Sequence, residues 1–226
     1  AKADLLAASP AYSDQSGVDW KTAAASAAKV LNHIGGVDGM DPTGWTWYCN
    51  VDDIEKLSPT ESPAEILWRG ERAKSLSLEE DNFPPTLYGN GRINPTQNLV
   101  DAFPMLNGYP VSHLSGEYDE NLPYANRDPR LEAYILYNGC KAGNTNKEIF
   151  TAADGTTNDA LNKVVGRSTR TGYYLRKLLR QDISLDPNAK ADQYHYTPRI
   201  RYTEIFLAYA EAANQAYGPQ DKGGNG

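Results

Sequence analysis

Residues 198–217, PRIRYTEIFLAYAEAANQAY, constrain the chain most. Tyr202, Ile205, Phe206, Tyr209, Ala213 and Ala216 recur at helical spacing, and Ile200, Leu207, Ala210 and Tyr217 widen that face. Only the stripe Arg201, Glu204, Ala208, Glu211, Gln215 is polar, so the segment predicts a helix covered on two sides. Thr197 with Pro198 opens it and Gly218-Pro219 stops it. Glu211 and Asn214 lie on this helix, and if buried there they need hydrogen-bond partners.

A second apolar face lies at residues 19–34. Asp19 is an N-cap, Trp20, Ala23, Ala24, Ala27, Val30, Leu31 and Ile34 form one stripe, and Gly35-Gly36 ends it. Its alanines permit close helix approach, and with residues 1–8 it predicts an antiparallel helical hairpin. Such a repeat-type unit buries its face on neighbours, so much of the 19–34 face is expected to be exposed in this chain alone.

Between these ends the pattern changes repeatedly. Asn94 reads as an N-cap with Pro95 at the first helical position, predicting a short helix with Leu99, Ala102 and Phe103 on one face. After a turn at Asn126, Asp128 and Pro129, the residues Leu131, Ala133, Ile135 and Tyr137 alternate with Glu132, Tyr134 and Leu136 as in a strand. EILWR at 65–69 is a further strand, and Val51 to Leu57 a short helix. Residues 79–94 read as loop from their Pro-Pro and Gly-Asn-Gly runs, and 141–168 as a polar, exposed insertion.

The net charge of −7 argues against a nucleic-acid partner, because phosphate binding needs a local excess of Lys and Arg. The run Arg167, Arg170, Arg176, Lys177, Arg180 reads as a solvated strand face. Cys49 and Cys140 are too few for a disulfide framework or a four-ligand zinc site and read as two separate thiols. No standard nucleophile, phosphate-loop or metal motif occurs, so neither metal nor cofactor is expected. His33, His113 and His195 are isolated, and Asp52-Asp53 and Glu79-Glu80-Asp81 read as solvated charge.

Four segments carry a family resemblance: PTQNLVDAFPMLNGYP (95–110), YANRDPRLEAYILYNG (124–139), RTGYYLRKLL (170–179) and PRIRYTEIFLAYAEAANQAYG (198–218). In this order they resemble the motifs of the SusD-like (RagB/SusD) family, surface nutrient-binding lipoproteins of Bacteroidetes-type bacteria. The resemblance implies a mainly α fold of tetratricopeptide-like hairpins with long loops and a few short strands, a superhelix of which this chain carries an incomplete, C-terminal part. Residues 1–226 then form one region in three parts: a repeat-type hairpin at 1–36, a loop-rich ligand-facing stretch at 37–197, and a closing helix at 198–218. It also implies capture of an oligosaccharide or similar nutrient without catalysis, and delivery to a SusC-type TonB-dependent transporter. A lipid anchor outside this chain would hold the protein on the outer membrane at the cell surface.

Sugar rings offer apolar C–H faces edged by hydroxyls, so a carbohydrate site needs aromatic platforms ringed by polar groups. Trp45, Trp47, Tyr48, Trp68 and Tyr88 are the candidate platforms, with Asn90 and Arg92 as hydrogen-bonding neighbours. Trp20 reads as core, and Trp68 fits a core strand position more readily than a ligand platform. The competing reading is a glycan-acting hydrolase whose carboxylates are placed by a helical scaffold.

Overall fold

The apolar faces at the two ends of the chain meet each other. The structure, a computed structural model, describes residues 1–42 and 63–219. In chain order these form α1 (Lys2–Ala8), α2 (Ser13–Ser16), α3 (Trp20–Ile34), β1 (Ile66–Arg69), β2 (Ala73–Ser75), α4 (Ser77–Asn82), α5 (Gln97–Ala102), α6 (Pro129–Tyr134), β3 (Ile135–Leu136), β4 (Lys141–Ala142), β5 (Lys147–Glu148), β6 (Tyr174–Leu175), β7 (Gln193–His195), β8 (Pro198–Arg201) and α7 (Tyr202–Tyr217). Of the described residues, 1–42, 63–71 and 196–219 make one compact unit and 72–195 a second.

In the first unit, Asp19 caps α3 as expected: its Oδ1 accepts from the Thr22 amide at 2.8 Å and the Thr22 hydroxyl at 2.7 Å. Gly35, in the left-handed region at φ 108°, ends the helix. Ala8, Ala23 and Ala24 pack with Ala212 and Ala213, and Ala27 and Leu31 with Tyr202 and Ile205. The expectation that the 19–34 face stays exposed is therefore corrected. The cover comes from α7 at the far end of the same chain, because alanines on both helices let their backbones approach closely.

The closing helix is shorter than the sequence indicated. Pro198–Arg201 is strand, paired antiparallel with β1 in the register Ile66↔Arg201, Trp68↔Ile200 and Arg69↔Pro198. Arg201 offers no side-chain cap, and Glu65 supplies one from across the ribbon. Its carbonyl accepts from the Tyr202 amide at 2.7 Å and its buried carboxylate from the Thr203 amide at 3.4 Å. Glu211 and Asn214 are exposed, so they form no buried network; the covered positions beside them are Ala212 and Ala213.

In the second unit, α5 starts two residues later than expected. Thr96 caps it through Leu99 N–H at 3.3 Å, and the buried residue is Val100 while Leu99 is exposed. Asn94 is a tie instead, accepting from the Arg170 amide at 3.1 Å and donating to the Gly91 carbonyl at 2.9 Å. The expected strand at 131–137 is mostly helix α6. Asp128 accepts from the Arg130 amide at 2.9 Å with Pro129 at the first helical position, and this start signal outweighs the alternation that follows. Only Ile135–Leu136 remains strand, pairing with Leu175 and Tyr174.

Residues 79–82, the start of the expected loop at 79–94, instead belong to helix α4. The 141–168 insertion is not an exposed excursion: it contains the β4–β5 hairpin, and Ile149, Thr151, Asp159, Ala160 and Ser168 are buried. Phe83, Leu87, Leu136, Ile149, Tyr174, Leu179 and Ile183 share the main core of this unit. The basic run is not wholly solvated either. Arg180 is buried, its guanidinium bound to both Asp182 oxygens at 2.7 and 2.9 Å and to the Tyr194 carbonyl at 3.0 Å.

Candidate functional site at the Tyr88 turn

Pro84-Pro85 cannot continue helix α4, and the chain turns through a 3-10 turn at Pro85–Leu87. Leu87 goes into the core and Tyr88, at φ 66°, is left 44% exposed. The Gly-Asn-Gly loop then lies along α4: the amides of Asn90, Gly91 and Arg92 donate to the carbonyls of Glu80, Phe83 and Asp81 at 2.9 to 3.0 Å. A side chain at Gly89 would sit 2.1 Å from the Phe83 carbonyl oxygen, so the close approach that aims Tyr88 requires glycine.

The turn is held from below by Asp159, whose Oδ1 accepts from the Thr86 amide at 2.7 Å. Asp159 is fully buried, its Oδ2 has no hydrogen-bond partner among the described residues, and desolvation raises its carboxyl above the ordinary carboxylate range. Thr86 hydrogen bonds and the Lys147 charge pull the other way.

Beside Tyr88 lies a groove of about 200 Å³. Its floor is apolar, made by Phe83, Leu87, Ile183 and Leu185. Around the opening stand Lys147, whose amine is 5.5 Å from the centre of the Tyr88 ring, together with Asn144, Ser184 and Asp186. One half-exposed aromatic ring over an apolar floor with mixed donors and acceptors suits an amphipathic ligand such as a sugar.

Of the residues singled out in the sequence that lie among the described residues, Tyr88 alone lines this groove. Asn90 and Arg92 belong to the supporting loop, Arg92 pairing through Nε with Asp81 at 3.3 Å. Trp68 lies in the first unit on β1 and is 63% exposed, so it is not a core strand residue. Trp45, Trp47 and Tyr48, like Cys49 and the expected helix at 51–57, lie outside the described residues. Lys147, Ser184 and Asp186 carried no motif. They reach the groove through the β4–β5 hairpin and the Ser184–Ala191 bridge, neither of which has a strong local signal.

Glu79, expected to be solvated charge, is fully buried: its Oε1 accepts from the Arg180 amide at 2.8 Å and lies 3.0 Å from His195 Nε2. His113 accepts from the Ser115 amide at 3.1 Å and stacks on Tyr109. Among the described residues, no group of His, Cys, Asp and Glu is arranged to hold a metal ion.

The sequence model of the SusD family matches residues 67–223, well over half of the chain. The chain belongs to the SusD family. This SusD-family chain is similar to a solved SusD-like carbohydrate-binding protein from Bacteroides fragilis, with 25% identity and a TM-score of 0.52 over 65% of this chain and 29% of that one. A second SusD-like protein from Bacteroides fragilis has the same fold, with 23% identity and a TM-score of 0.65 over 88% of this chain and 41% of that one. The SusD-family chain thus spans less than half the length of either neighbour. A search of curated proteins finds no match. No helix among the described residues is long and apolar enough to cross a membrane.

Proposed function

We propose that this chain serves a cell-surface binding protein that captures an oligosaccharide or similar nutrient and delivers it to a SusC-type TonB-dependent outer-membrane transporter. No reaction is catalysed in this reading, and a lipid anchor outside these residues holds the protein to the outer membrane. The hairpin of α1 and α3 is one unit of a tetratricopeptide-like superhelix in the whole protein. The observation that carries the reading is the Tyr88 groove, where an aromatic ring and an apolar floor are edged by an amine, a carboxylate and an amide. Pyranose rings present that same combination of C–H faces and hydroxyl edges. The carbohydrate-binding neighbour supports the ligand class.

A glycan array on the protein tests this, with Tyr88→Ala as control and reducing-end analysis of each bound glycan. Binding that weakens in the variant without release of new reducing ends is the expected result. Steady turnover would replace capture by hydrolysis, and no binding to any glycan would end the proposal.

A further inference from the structure

We infer that the groove beside Tyr88 takes a single N-acetylated hexosamine unit of the glycan, with its acetamido group directed inward; this rests on the capture reading above. Size sets the first limit. At about 200 Å³ the groove is smaller than the roughly 300–1,000 Å³ typical of pockets for drug-sized ligands, so it admits one ring and not an extended chain.

The floor sets the second limit. Phe83, Leu87, Ile183 and Leu185 are members of the main core, and their side chains, which line the groove, are wholly hydrocarbon. A hydroxyl pressed against them gives up its water and gains no partner, and a plain hexose carries hydroxyls around most of its rim. An acetamido group instead ends in a methyl. The amide behind that methyl needs one hydrogen-bond donor and one acceptor, both placed nearer the opening.

The rim offers both. Asp186 uses Oδ1 to accept from the Asn188 amide at 2.9 Å, which fixes the carboxylate and leaves its second oxygen for an incoming N–H. Lys147 makes no salt bridge among the described residues; its amine stands over the Tyr88 ring and is available to the acetamido carbonyl. Ala189 and Ala191 line the groove without filling it, since their side chains are single methyl groups.

Calorimetric titration with the methyl β-glycosides of N-acetylglucosamine and of glucose tests the inference on the parent and on Ala191→Phe, which occupies the groove. Ala189→Phe serves in its place if the first variant does not fold. The N-acetylated glycoside is expected to bind at least tenfold more tightly than the glucoside, and the filled groove to abolish that binding while the melting temperature stays near the parent's. Lys147→Met and Asp186→Ala should each weaken the N-acetylated glycoside several-fold more than they weaken the glucoside. Equal affinity for the two glycosides, or a preference that survives in the filled variant, overturns the inference. An array that shows binding only to glycans without acetamido groups also overturns it, and leaves capture standing. An array with no binding at all overturns both.

Discussion

The phenol of Tyr174 donates to the backbone carbonyl of Asp159 at 2.9 Å and accepts from the Thr169 amide at 2.9 Å. Asp159 in turn holds Thr86, two residues before Tyr88, so the TGYY segment positions the groove's aromatic ring from within the core. Tyr174→Phe leaves a buried amide and a buried carbonyl each short of a partner. We expect a loss of roughly 2 kcal/mol or more in urea unfolding, since an unsatisfied buried group costs ~1–3 kcal/mol. Unfolding at the parent's midpoint would show that other groups hold this turn.

Asp159 also predicts a pH dependence. Its carboxyl is raised in the folded state by desolvation, above the ordinary 3.8. A raised folded value means that its contribution to stability is complete below the unfolded carboxylate value and is lost as pH rises through the raised one. Asp159→Asn removes that titration and keeps an oxygen for the Thr86 amide. Relative to the parent, the variant should gain stability between pH ~4 and neutrality, as read by urea midpoints across that range. A constant difference at every pH contradicts the assignment.

Arg127 is a buried cation that donates to the carbonyls of Val100, Phe103 and Pro123 at 2.6, 2.8 and 2.9 Å. It thereby joins the C-terminal end of α5 to the 123–127 segment. Arg127→Met should destabilise the protein by ~3 kcal/mol, since hydrogen bonds from charged groups contribute ~1.5–3 kcal/mol each. Arg127→Lys should recover only part of this, because an ammonium cannot reproduce the planar fork. Full recovery by lysine would mean that charge alone matters here.

Cys140 is buried and unpaired, and burial pushes its thiol up to about 11. The neutral thiol is favoured below the unfolded value of 9.0, and its stabilising share is lost only as pH rises through about 11. In a Cys49→Ser background at pH ~8, a disulfide reagent should therefore label Cys140 only as fast as the protein opens. Prompt stoichiometric labelling without denaturant would place the thiol at the surface.

Trp68 separates ligand contact from folding. With most of its side chain in solvent, Trp68→Ala should change stability by no more than ~0.5 kcal/mol, the usual range for surface substitutions. If Trp68 stacks on a sugar, the same variant loses ~2 kcal/mol of binding, roughly thirtyfold in affinity. Thermal unfolding and glycan titration of one sample decide between a platform and an idle surface residue.

The sequence by itself determined the features whose signals are local. The Asp19 cap, the alanine stripe of α3 and the apolar face of α7 can be read within a few turns of helix, because caps and 3.6-residue periodicity act between near neighbours. The four motif segments were legible as contiguous strings, and it was their resemblance to a known family, not their periodicity, that pointed to the family. The tertiary structure decided what depends on distant partners. It covered α3 with α7, delayed the start of the last helix to Tyr202 by pairing Pro198–Arg201 with β1, and let Glu65 cap that helix across 138 residues of chain. It also drew Lys147 and Asp186, residues without any motif, to the side of Tyr88. A groove depends on which loops the core brings together, and that selection is made by burial and hydrogen-bond satisfaction summed over the whole unit, which no local pattern records.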